Sequence, residues 1–374
     1  MLDTFFISIY LLATLSQLFF WLFIFSRLAF YKPEKPLEKE GTKSGNTGHS
    51  VSVIVCARNE AENLKKNIPR ILNQSYHSFE LLVVNDGSTD QTENILLESY
   101  MESSTLRRLN VIDKPEGSGK KYALSKGIEA SRHEVLLLTD ADCEPANNNW
   151  IDGMQQCVRG SVEIVLGYAP YFKRPGFLNL FIRYETVHTA IQYLSFALIG
   201  KPYMGVGRNL AYKKKLFFEA GGFKTHEHLL SGDDDLFINT AAHTHNTAIC
   251  IDKQTFMYSE PEHTWAKFFR QKSRHLTTGK HYKLTHQAIL GTFSLGHILH
   301  ILGGFFLIYK FSIIFVMLVY VVRLLVVLMI MRPILKKLDE ASLWKWIPIL
   351  DLVFVVYLLV FAPVLLFRKH KQWK

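Results

Sequence analysis

The sequence predicts an α/β domain with a mainly parallel sheet, carried between membrane-spanning helices. Between residues 51 and 166, short apolar runs alternate with stretches of helical spacing, the pattern of strands joined by crossover helices. Long apolar runs flank this region, at residues 5–25 and again at 289–308, 311–330 and 347–367. Polar loops at 57–60, 86–90 and 140–142 each follow a predicted strand. In an open α/β sheet that is where ligands bind.

Taken in order, residues 5–25 carry no charge, and about 20 such residues cross a bilayer as a helix. No basic stretch precedes this run and no small-residue cleavage site follows it, so a retained anchor is expected rather than a cleaved signal. Residues 33–49 are polar and rich in Gly, Lys and Glu, a linker composition. Strands are expected at 51–56 (VSVIVC), 79–84 (FELLVV), 109–112, 135–139 and 164–166. Between them, helical spacing runs over 59–72 through Leu64, Ile68 and Leu72, then from about Thr92 to Met101, and over 117–130, which includes KKYAL. The expected division is an anchor at 1–31, a linker at 32–49, the α/β domain at 50–286, and about three helices with a basic tail at 287–374.

The stretch LLLTDADCE, residues 136–144, organises the domain. Three leucines and a threonine make a buried strand. Asp140 and Asp142 then fall at its carboxyl edge, where two carboxylates can share a hard divalent cation through oxygen. A polar turn would have the same local sequence. The other rim loops, with Asp86 among them, are what favour the metal reading.

Beyond residue 170 the pattern changes. Residues 177–199 are apolar and aromatic, with Arg183, Glu185, His188 and Gln192 as polar members. A helix at the membrane surface, or one buried in the core, fits better than a span. Residues 205–209 form a glycine-rich loop without the dinucleotide fingerprint, and Gly221-Gly222 is a turn. Ser231 is the expected cap of a helix with acids in its first turn. Thr264 is the expected cap of another helix, reaching about residue 281. On it Gln271, Arg274 and His275 share a face. Such a face suits an anionic group such as a diphosphate, although the spacing alone better describes a solvated surface.

The net charge is +10. The basic residues gather beside apolar segments (Arg27, Lys32 and Lys35, then Arg332, Lys336 and Lys337, then 368–374), as on the cytoplasmic flanks of membrane proteins. No nucleic-acid partner is expected. Cys56, Cys143, Cys157 and Cys250 form no close metal-type pair and read as reduced structural thiols. His297 and His300 read as packed side chains, and Arg323, inside an apolar run, requires a polar neighbour or a route to the interface. Four spanning helices are favoured.

A metal-type acid pair, a second acid cluster, a glutamine-arginine face and membrane anchors together suit transfer of a sugar from a nucleotide sugar. VSVIVCARNE, VVNDGSTD, LLLTDADCEP, SGDDDLF and QKSRH, in this order, resemble the membrane-bound family-two glycosyltransferases of the GT-A fold. That group includes ceramide glucosyltransferase and the cellulose, hyaluronan and poly-N-acetylglucosamine synthases. The resemblance implies a Rossmann-like nucleotide-diphospho-sugar transferase domain flanked by transmembrane helices. It implies that Ala57, Asn59, Glu60 and Asp86 line the nucleoside pocket, with Lys120 nearby. Asp140 would face the donor, Asp142 would bind Mg2+ or Mn2+, Asp233 would be the catalytic base, and Gln271 and Arg274 would hold the diphosphate. Gly207, Arg208 and His275 are assigned to the acceptor side. The implied reaction is an inverting transfer from a nucleotide sugar, a UDP-sugar by family precedent, to a membrane lipid or lipid-linked glycan. The domain would be cytoplasmic, and a bacterial inner membrane is the expected location.

Two departures from the family pattern matter. The Thr-Glu-Asp motif reads Ser231-Gly232-Asp233, without the acid before the base. The tryptophan of Gln-x-x-Arg-Trp is His275, which argues against a processive polysaccharide synthase, the main alternative. A non-catalytic membrane scaffold on the same fold is the lesser one.

Overall fold

A computed structural model of the chain describes residues 2–33, 48–112, 115, 119–229 and 231–367. Most of the expected linker, the first residues of the 117–130 segment and the basic tail at 368–374 lie outside the described residues. The chain packs as two compact units. The α/β unit comprises 32–172 and 200–261, and the helical unit comprises 1–31, 173–199 and 262–370. By packing, 173–199 and 262–286 therefore lie with the helices.

Among the described residues of the α/β unit, the strands are β1 (Val51–Ala57), β2 (Phe79–Asn85), β3 (Leu106–Asn110), β4 (Val135–Asp140), β5 (Cys143–Pro145), β6 (Ile164–Gly167), β7 (Leu210–Lys213), β8 (Thr247–Cys250) and β9 (Met257–Ser259). Seven form one sheet in the order β3-β2-β1-β4-β7-β6-β8, and β5 and β9 pair separately. Strand β7 runs antiparallel to both β4 and β6, while the other pairs of the large sheet are parallel. The chain steps outward from β1 to β2 and β3, then returns to place β4 on the other side of β1. That reversal opens a crevice at the carboxyl ends of β1 and β4. Cys56 and Asp140 are register partners at its floor.

The first, second and fourth strands are buried almost throughout, as strands covered on both faces must be. Leu64, Ile68 and Ile71 of the helix Ala61–Leu72 pack with Val53, Val55, Leu81 and Val83. Glu80 pins the opposite end of the sheet. It accepts hydrogen bonds of 2.6 Å from the Ser52 hydroxyl, the Arg107 guanidinium and the Arg132 amide. The third strand begins three residues earlier than the sequence pattern suggests, because Leu106 is the buried member opposite Leu81 while Ile112 is exposed.

In the helical unit, Asp3–Phe30, Leu284–Lys310, Ile313–Lys337 and Ala341–Val364 are long and apolar enough to cross a membrane. The first contains a π-helical stretch, Phe20–Phe25. Arg323 finds its polar neighbour in Asp351, with which it makes a fully buried ion pair, and it also donates to Gln17 at 3.1 Å. His300 contacts the Thr14 hydroxyl at 2.8 Å and His297 contacts the Asp351 carbonyl at 3.1 Å, so both histidines are packing residues. The helix Phe177–Leu198 is mostly buried. Arg183 pairs with Glu340, Glu185 pairs with Lys272 and accepts from Tyr357, and Gln192 donates to His188. Arg183, Glu185, His188 and Gln192 are thus all partnered inside the unit.

Candidate active site

The rim of the crevice is built by loops that brace one another. Asn59, just past β1, has a φ of +57°, a conformation that asparagine tolerates better than most residues. Its side-chain oxygen accepts from the Thr89 amide at 2.8 Å, and its own amide donates to the Ser88 hydroxyl at 3.0 Å. The Glu60 amide donates to Thr92, and the Ala61 amide donates to Asp90. Partial desolvation of Asp90 is outweighed by hydrogen bonds from Thr92 and Ala61, which hold its carboxyl below the usual range. The Asp86 amide donates to the Ala57 carbonyl at 2.8 Å and its side chain is buried. Ala57, Asn59, Glu60 and Asp86 are therefore brought together as one wall.

Across the crevice, Asp140 ends β4. Lys120 starts the helix Lys120–Ala130, and its ammonium lies 2.7 Å from Asp140 and 3.0 Å from Asp233. Burial works against that ammonium, but the two carboxylates prevail and raise its pKa above the ordinary lysine value. Asp233 is buried, so a single cation holds two acids that the sequence separates widely. The recess around Lys120 is lined by Cys56, Thr139, Gly207, Asp233 and Asp234.

The acids around Asp233 divide their work. The helix expected from Ser231 begins at Asp235, and its cap is Asp234, whose carboxylate accepts from the Asp235 amide at 2.7 Å. The other oxygen of Asp234 accepts from the Gly207 amide at 2.7 Å. A Cβ at Gly207 would lie 3.3 Å from that oxygen, so glycine lets the two segments close up. Burial first, then the like charges of Asp233 and Asp235, push the Asp234 carboxyl up to about 7. Gly232 has a φ of +104°, and a Cβ there would come 2.6 Å from Leu236. The missing acid of the family motif falls at a position where this backbone strains any side chain.

Lys121, next to Lys120, turns the other way. Its buried ammonium donates to the carbonyls of His226 at 2.6 Å and Ser231 at 2.9 Å, and also to that of Leu229. Burial pushes its pKa down to about 8, against the opposing charges of Asp233, Asp235 and Glu227.

Asp140, Asp142 and Cys143 offer ligand atoms that all lie within 4.8 Å of one another. The Cys143 thiol is pushed well up by burial and then by Asp142 and Asp140, so it stays protonated. The two carboxylates are what a hard cation would use. One oxygen of Asp140 is already engaged by Lys120, whereas Asp142 extends to solvent. Asp142 nevertheless sits in a recess dense in protein atoms. That partial desolvation, followed by the charge of Asp140, raises its pKa. Arg208 stacks over Tyr171 at 4.3 Å and donates to the Ser259 hydroxyl. Burial opposes its charge, but Tyr171, Cys143, Asp142 and Asp140 raise its pKa. Its carbonyl accepts from Thr139 at 2.9 Å, which ties the glycine-rich loop to the end of β4.

Gln271, Arg274 and His275 lie in the helical unit, on the helix Trp265–Leu276, which Thr264 caps as expected. Phe268 and Ser273 are its buried residues, Lys272 turns inward to Glu185, and Gln271 and Arg274 are half-buried. Sequence reasoning missed Lys121, Tyr171 and Ser259. For Lys121 the signal was a second lysine on a helix start facing acids, and for the other two there was none.

A mixed sheet with its acidic loops gathered at one switch point is the architecture of the GT-A fold. The same fold over nearly the whole chain is found in the mannosyltransferase PcManGT from Pyrobaculum calidifontis, solved in complex with GDP-Man and Mn2+. The TM-score is 0.56 at 16% identity, covering 96% of this chain and 99% of that one. The chain belongs to glycosyl transferase family group 2, whose profile matches residues 152–365, with Glycosyl transferase family 2 matching residues 52–217. Glycosyltransferase AglE of Haloferax volcanii is 30% identical over 49% of this chain and 58% of its own length. The probable glycosyltransferase YdaM of Bacillus subtilis is 27% identical over 60% of this chain and 54% of its own. The chain thus spans about half the length of these curated relatives.

Proposed function

We propose that this protein transfers a sugar from a nucleotide sugar to a membrane lipid or lipid-linked glycan, in one inverting displacement. The observation that carries the reading is the bridge from Lys120 to Asp140 and Asp233, beside Asp142, at the carboxyl edge of the sheet. Ala57, Asn59, Glu60 and Asp86 hold the nucleoside. Asp140 and Lys120 orient the donor. Asp233 takes the proton of the acceptor hydroxyl as that oxygen attacks the anomeric carbon. Gln271 and Arg274 stabilise the departing diphosphate. Asp142, with Asp140, holds Mg2+ or Mn2+, which neutralises diphosphate charge when bound. The Mn2+ in the PcManGT structure and the carboxylate pair here support that choice. Gly207, Arg208 and His275 lie on the acceptor side. Histidine at position 275, where the polymer synthases carry tryptophan, favours transfer of one or a few sugars over a long polymer.

The α/β unit is read as cytoplasmic, and a bacterial inner membrane is the proposed location. A UDP-sugar is the expected donor, and GDP-mannose, held by PcManGT, is the second to screen. The test is nucleoside diphosphate release by the full-length protein in membranes with UDP-glucose, UDP-N-acetylglucosamine and GDP-mannose, with and without Mn2+. Metal-dependent release with one donor, lost in Asp142→Ala and Asp233→Asn, is the expected result. Release that survives Asp142→Ala would overturn the metal assignment. Long polymer as product would replace the acceptor reading with the processive one.

A further inference from the structure

Asp233 stands at the end of a segment with little structure of its own. Between Phe223 and Asp233 the regular structure among the described residues is a single 3-10 turn, Lys224–His226. Gly221 and Gly222 before it, and Gly232 within it, all have positive φ. Glycines enlarge the set of conformations a loop can visit, so such a segment does not fix a side chain at its end unaided.

Phe223 is packed against Phe217 and Phe237 at one end, and Asp234 accepts from the Gly207 amide at the other; between these anchors the segment is held by the start of the helix Lys120–Ala130. We propose that Lys121 is a positioning residue for Asp233: its buried ammonium gathers the carbonyls of His226, Leu229 and Ser231 onto one point and so sets where the loop delivers the base. Lys120 grips the Asp233 carboxylate from the adjacent position. One helical turn therefore holds the backbone of the loop with one lysine and its functional side chain with the other. An ammonium has three donors and no acceptor, and here three carbonyls take them. A hydrophobic residue at 121 would leave three inward-facing carbonyls without that donor. The His226 ring, the Glu227 and Asp235 carboxylates, Asp233 itself and Lys120 are the charged or titratable groups nearby. The catalytic meaning of the position rests on the transferase reading above, but the tether does not.

Hydrogen exchange of the full-length protein in detergent tests the tether without substrate. In Lys121→Met, amides of 222–236 should exchange ~10-fold faster or more, as expected for a locally opened segment, while strands 51–57 and 79–85 keep their protection. Lys121→Arg, which can still donate to carbonyls, should restore much of the protection. Unchanged exchange at 222–236 in Lys121→Met would overturn the proposal, and so would equal loss across the strands. If nucleoside diphosphate release has been found, Lys121→Met should lower kcat by ~10-fold or more with the donor KM little changed. A rise in donor KM alone would make Lys121 a ligand-binding residue and overturn the positioning role.

Discussion

Lys120 and Asp233 form an ion pair of 3.0 Å, with the lysine on the first turn of a helix and the aspartate at the end of a distant loop. Lys120 also meets Asp140 at 2.7 Å, so its removal leaves two carboxylates facing each other in a mostly enclosed recess. Breaking a buried pair by deleting one partner costs roughly 3–5 kcal/mol, less where water still reaches. Lys120→Met should abolish nucleoside diphosphate release to below ~1% of wild type. Circular dichroism of the purified protein should remain near native, because the lysine side chain stands at the rim and not in the apolar core.

The positive φ at Gly232 yields a counterintuitive expectation. Gly232→Glu restores the acid of the family pattern, yet it should lower activity and destabilise the protein by about 1–3 kcal/mol. Thermal unfolding in detergent, compared with Gly232→Ala, would separate backbone strain from the added charge. A more active glutamate variant would contradict the backbone argument.

Arg323 and Asp351 form a buried ion pair in the helical unit. Asp351→Ala or Arg323→Met alone should cost about 3–5 kcal/mol, because each leaves an uncompensated charge. The double substitution Arg323→Met with Asp351→Leu should recover most of that loss. Thermal aggregation of detergent-solubilised protein gives the comparison.

Glu80 supplies a pH dependence. Burial would raise its carboxyl, but hydrogen bonds from Ser52, Arg107 and the Arg132 amide prevail and lower it from the ordinary value of 4.5. A depressed carboxyl contributes stability above the unfolded pKa and loses it as pH falls through the folded one. Thermal stability of the wild type should therefore decline below about pH 4.5, where carboxylates begin to protonate. Glu80→Gln should be less stable at pH 7 and should show a shallower acid limb. Parallel limbs for the two proteins would rule out Glu80 as the group responsible.

Much of the α/β unit was legible because its strands are continuous apolar runs and its loops repeat the same acidic position. The first, second and fourth strands, the helix Ala61–Leu72 and the cap at Thr264 all follow from that patterning. The short strands β5, β7, β8 and β9 were not seen, since three or four residues carry too little periodicity to separate a strand from a turn. Ser231 was the natural cap by residue type, but the cap fell to Asp234 once the Gly207 amide gave that carboxylate a second partner. Asp140 and Asp142 could be read as a pair from the chain alone. The tie of Asp140 to Asp233 through Lys120 could not, because it depends on a strand order that reverses between β1 and β4. Asp351 is an instructive omission: an acid in one apolar run is a signal that an arginine in another has its partner.

The segment 173–199 leaves the α/β unit after β6 and returns before β7, having packed with the helices. Cutting a gene at residue 286 to obtain a soluble enzyme would take Arg183 away from Glu340 and Glu185 away from Tyr357. The fragment would display an apolar helix with the charge of Arg183 orphaned on it. Excision at the borders of the large sheet is equally closed, since both of its halves are needed to complete the strand order. Any preparation of this protein for assay should therefore begin from the whole chain in lipid or detergent.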